Sequence, residues 1–64
     1  MNRLLDDATL DRFERFAMAL PENARQQWSR YFETLLIEAG EPAEARVLKG
    51  VFRHAGRRVA GLAD

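Results

Sequence analysis

The chain contains no cysteine, which removes disulfides and every thiolate metal site from consideration. No apolar run approaches the roughly 18 residues of a membrane-spanning helix. The opening "MNRLLDDATL" places two aspartates where a secretory signal would carry its apolar segment. The expectation is a cytoplasmic protein with no membrane contact. Reactive side chains are equally scarce: Ser29 is the one serine, His54 the one histidine and Lys49 the one lysine. Ser29 has no base at helical spacing, so nothing activates it as a nucleophile. His54 is flanked by Arg53 and Arg57, whereas a metal site would surround it with carboxylates or further imidazoles. Asp6, Asp7 and Asp11 form an acidic cluster, but without the loop and glycine spacing of a calcium site they read as capping residues. The expectation is a protein with no catalytic residues, no cofactor and no metal.

What is present is helical periodicity. Leu10, Phe13, Phe16, Ala17 and Leu20 recur at steps of three and four, the spacing that lines one face of an α-helix over about residues 8 to 19. Asp7 or Thr9 is the expected cap. Pro21 stops this helix and suits the first turn of the next. In that second helix, expected over 21 to 39, Ala24, Trp28, Tyr31, Phe32, Leu35, Leu36 and Ala39 fall within an arc of about 140°. These aromatics are expected in the core, with Trp28, Phe32 and Leu35 packing against Phe13, Phe16, Val51 and Phe52. Gly40 is placed for a left-handed cap, and Pro42 opens a third helix over about 42 to 60. There Leu48, Val51, Phe52, Ala55, Val59 and Leu62 share one stripe of about 100°, and Arg46, Lys49, Arg53 and Arg57 share another of about 80° nearly opposite. No alternation of strand type, repeat or linker interrupts the pattern. The reading is a single all-α domain over residues 1–64, three short helices arranged as a helical hairpin plus a third helix.

Sixty-four residues bury only about 60% of the surface that the unfolded chain exposes. With disulfides and metals set aside, self-association is the remaining way to add burial. Apolar residues outside the stripes point the same way: Leu4 and Leu5 precede the first helix, and Met18 and Ile37 fall among charged neighbours. These four are the candidate oligomer interface of a homodimer.

The net charge is zero, yet the charge is segregated. Residues 1–44 carry five arginines and nine acids, whereas residues 45–64 carry five cations and Asp64 alone. Arg46, Lys49, Arg53, His54, Arg57 and Arg58 are the candidate partner-binding residues. Arginine suits anionic targets because its planar fork binds carboxylates and phosphates with two parallel hydrogen bonds. Two structural readings stand beside this: a solvated face matched to the helix dipole, and pairing with the acidic first half, within or between chains. Two targets are open, an acidic protein surface and nucleic acid. DNA-binding domains usually have a pI above about 9, whereas this sequence has a pI near 6.6. The stretch "TLLIEAGEPAEARVLKGVFR" offers a turn glycine ahead of a basic helix, as a helix-turn-helix does, but Glu41, Pro42 and Glu44 stand where that motif needs apolar packing and phosphate contact. The expected function is a small non-catalytic module that regulates or inhibits a larger protein through an acidic surface on it, with a nucleic-acid-binding regulator as the alternative. The layout is of the general type of small plasmid and phage regulators, an analogy of form that carries no residue across.

Overall fold

The computed structural model describes residues 5–62. Within them the chain forms three helices and no strand: α1 (Asp7–Ala19), α2 (Glu22–Glu38) and α3 (Pro42–Leu62). The first is capped by Asp6, one residue earlier than expected. Its Oδ1 accepts the Thr9 N–H at 2.8 Å while its carbonyl accepts the Leu10 N–H at 2.9 Å. Hydrogen bonds from Thr9, the side chain first and the backbone second, hold the Asp6 carboxyl below its ordinary range.

The two junctions follow local chemistry. Leu20 is extended, as a residue before proline must be. Pro21 then serves as the N-cap of α2, its carbonyl accepting the Arg25 N–H at 2.9 Å. At the far end of α2, Gly40 has φ 80°. Its N–H reaches the Ile37 carbonyl at 3.0 Å, and the Glu41 N–H reaches that of Leu36 at 2.8 Å, the two bonds of a Schellman cap. Pro42 begins α3 at a position where its missing N–H costs nothing.

Both α1 and α2 lie along α3, which organises the fold. The contacts give the directions. Leu5 meets Glu44 and Glu14 meets Arg58, so α1 runs parallel to α3. Glu33 meets Lys49 while Arg25 lies beside Gly56, so α2 runs antiparallel to α3. This side-by-side alignment differs from the crossing of about 90–120° in a helix-turn-helix. Between α1 and α2 the contact is aromatic: Phe13 meets Phe32 edge-on with centroids 5.0 Å apart, and Phe16 meets Trp28 at 5.7 Å.

The core is small. Leu5, Ala17, Ala45, Leu48, Phe52 and Ala55 are buried, and Leu10, Phe13, Met18, Phe32, Leu36 and Val51 pack around them half-buried. Phe52 is its aromatic centre, with the rings of Phe13, Phe16 and Phe32 at 6.0–6.5 Å. Trp28, Tyr31 and Leu35, expected inside, are instead 39%, 54% and 43% exposed. Leu62, expected on the apolar stripe of α3, is exposed near the end of that helix.

One charged residue is buried with these apolar groups. The first helix ends without a glycine cap, and its last turn contains no basic residue, so its terminal carbonyls need an outside donor. Arg25 supplies it from α2: Nε donates to the Ala17 carbonyl at 2.9 Å and Nη2 to that of Leu20 at 2.8 Å. The residue is only 8% exposed. Its cation sits at the negative end of the α1 dipole, where positive charge is favoured. The guanidinium lies over Gly56 of α3, where a Cβ would be 3.5 Å from Arg25 Nη1, an ordinary contact distance.

Candidate functional site

The six basic candidates are all on α3, and the fold sorts them by direction. On the flank facing α1, Arg58 donates to Glu14 Oε1, and His54 Nδ1 lies 3.5 Å from Glu14 Oε2. The hydrogen bond from Arg58, with lesser help from His54, holds the Glu14 carboxyl below its ordinary value of 4.5 against the opposing effect of desolvation. On the flank facing α2, Lys49 Nζ lies 3.5 Å from Glu33 Oε2. Half of the basic segment is thus answered by acids of the first two helices within one chain.

The other half faces outward. Arg46, Arg53 and Arg57 are exposed, and none has a carboxylate within ion-pair distance among the described residues. At 100° per residue they fall within an arc of about 40°, and at 1.5 Å per residue they span about 16 Å of helix. This is the spacing of a linear contact surface rather than a pocket.

Beside it, α2 and α3 enclose an open groove of about 570 Å³. Arg25, Arg30, Lys49 and Arg53 supply four cations to its lining, Glu22 and Glu33 two acids, and Ser29 and Gln26 neutral hydrogen-bonding groups. The balance is positive by two charges, with acids interleaved among the cations. A row of arginine forks beside such a groove can take carboxylates in pairs of hydrogen bonds.

Arg25 and Arg30 were absent from the sequence-derived set. Arg30 sits on the polar side of α2, and only folding brings it across from Arg53. Arg25 did leave a signal: it falls seven residues before Phe32 and eleven before Leu36, inside the apolar arc of its helix. A charge in that position points to a specific buried partner.

The candidate oligomer residues separate as well. Leu5 is 5% exposed and belongs to the core, so it is not a surface residue. It precedes the N-cap of α1, where an apolar side chain folds back toward the fourth helical residue, here Leu10 of the same cluster. Met18 packs half-buried against the core because α3 lies along that flank of α1. Ile37 is 54% exposed, on the side of α2 opposite Trp28. Leu4 lies outside the described residues.

Among the described residues, no cluster of histidine and carboxylate side chains could hold a metal ion, and no helix is long and apolar enough to cross a membrane. No family model, curated protein or solved structure matches the chain.

Proposed function

We propose that this protein is a non-catalytic interaction module, assembled as a homodimer, that regulates or inhibits a larger protein by laying α3 against an acidic surface on it. The observation that carries this reading is the outward row of Arg46, Arg53 and Arg57, without carboxylate partners among the described residues while Lys49, His54 and Arg58 lie against Glu33 and Glu14. Carboxylates are favoured over the phosphates of nucleic acid because residues 1–44 carry nine acids against five arginines, Glu22 of the adjoining groove among them. They would repel a continuous phosphate backbone but can pair with the basic residues of a mixed protein surface.

The test is capture of partners from the native host after nuclease treatment, with wild-type protein and with an Arg53→Glu, Arg57→Glu double variant. Both positions are exposed, so the fold should survive, as circular dichroism would verify. The wild type should retain a protein partner that the variant loses. Equal capture by both would make the row a solvated face. Loss of all capture on nuclease treatment would favour nucleic acid as the target.

A further inference from the structure

The face of α2 turned away from α3 carries a second surface. Phe16 of α1 and Trp28, Tyr31 and Leu35 of α2 are 39–54% exposed and contiguous. The Phe16 and Trp28 rings are 5.7 Å apart, those of Trp28 and Tyr31 5.6 Å, and Leu35 follows one turn after Tyr31 on the same face. Isolated exposed apolar residues are ordinary, but a joined patch of three aromatics and a leucine marks an interface.

We infer that the strip Phe16, Trp28, Tyr31 and Leu35 is covered by the same strip of a second copy of this chain; the inference rests on the homodimer proposed above and locates its interface. Three observations select a second copy over a foreign partner. The first is charge. Between Tyr31 and Trp28 the arc of α2 contains Ala24 and Leu35, and no charged residue falls within it. Such a face can meet itself across a two-fold axis without the like-charge repulsion that the arginine row would suffer.

The second is area. With aromatic side chains at roughly 150–250 Å² each, the exposed fractions leave roughly 250–400 Å² on each chain. That is about a third to a half of the roughly 800 Å² per partner of a standard interface. The remainder falls to the uncharged or rim positions alongside, Gln27, Thr34 and Glu38, as in interfaces with an apolar centre and a polar edge.

The third is need. Among the described residues only Leu5, Leu48 and Phe52 are buried side chains larger than alanine in the apolar core, a thin interior for a chain with no disulfide. An axis between Tyr31 and Phe32 relating antiparallel α2 helices would set Trp28 of one copy over Leu35 of the other. Both chains would then gain the burial that one chain lacks.

Trp28 is the sole tryptophan and lies in the strip, so its fluorescence reports on the interface without a label. The experiment is sedimentation of the full chain from low micromolar to several hundred micromolar, with Trp28 emission and acrylamide quenching measured over the same range. The expected result is a monomer–dimer transition accompanied by a blue shift and reduced quenching. In Tyr31→Glu the dimer dissociation constant should rise roughly 30-fold or more, the loss typical of an interface hot spot, and in Tyr31→Glu, Leu35→Glu no dimer should remain. Both positions are already exposed, so helicity by circular dichroism should be retained.

A monomer throughout, with Trp28 equally quenched at every concentration, would overturn the proposal. So would a dimer whose affinity is unchanged in Tyr31→Glu. If the double variant failed to fold, the wild-type dilution series would still decide. A wild type that stays monomeric yet captures an acidic partner would break this inference and leave the arginine row standing. The reverse pattern would do the opposite.

Discussion

Replacing Arg25 by alanine is predicted to be among the most damaging single changes outside the apolar core. The wild-type guanidinium donates to two carbonyls at the end of α1 from a position that is 8% exposed. Hydrogen bonds from a charged donor contribute about 1.5–3 kcal/mol each, and they are not additive. Ala17 O keeps one partner in Arg25→Ala, the Leu20 N–H at 3.3 Å, but Leu20 O loses the one donor seen for it. The cation at the negative end of the helix dipole adds about 0.3–1 kcal/mol. Together the loss should be about 2–4 kcal/mol, or a fall in Tm of the order of 10–25 °C for a domain this small. Arg25→Met retains the stem that packs by Gly56 but donates nothing, so it should recover little; Arg25→Lys can restore one bond and should fall between. The control is Arg30→Ala on the same helix, which should move stability by no more than about 0.5 kcal/mol. Thermal and urea unfolding followed by circular dichroism measure all four variants at one protein concentration, since association would also stabilise the fold. Equal stability of Arg25→Ala and Arg30→Ala would refute the capping role.

Two further predictions concern glycines and pH. Gly50→Ala should stabilise the protein by about 1 kcal/mol, because a Cβ there meets nothing within 4 Å, whereas Gly40→Ala should destabilise it by about 1–2 kcal/mol at φ 80°; chemical denaturation distinguishes the two signs. Glu14 has its carboxyl pKa depressed in the folded chain, by Arg58 first, so its contribution is complete above the ordinary value of 4.5 and is lost as pH falls through the lower folded value. Stability measured between about pH 5 and pH 3 should therefore fall less steeply in Glu14→Gln than in the wild type, and parallel slopes would count against the pairing.

The helices were legible because their signals are local. Apolar spacing, Pro21, Gly40 and Pro42 mark the spans to within one or two residues, since caps and proline geometry act over a single turn. What periodicity does not encode is which part of a broad face meets a neighbour. The apolar arc of α2, about 140° wide, exceeds what one adjoining helix covers. The flank with Arg25, Phe32 and Leu36 turned inward, and Trp28, Tyr31 and Leu35 were left at the surface. A buried arginine inside that arc distinguished the two flanks, but only the distant carbonyls of α1 explain it.

The candidate site was partly legible for the same reason. Shared direction on α3 follows from spacing alone, so Arg46, Lys49, Arg53 and Arg57 stood out together in the sequence. The pairing of Lys49 with Glu33, and of Arg58 with Glu14 beside His54, depends on contacts between helices. So does the arrival of Arg30 opposite Arg53 across the groove.

The most direct test of the central claim measures association kinetics between the protein and its captured partner over a range of ionic strength, for the wild type and for Arg53→Glu, Arg57→Glu. A basic row meeting an acidic surface predicts wild-type association that slows as salt screens the charges, and a double variant that associates far more slowly at low salt. Association rates that are equal in the two proteins and insensitive to salt would contradict the account.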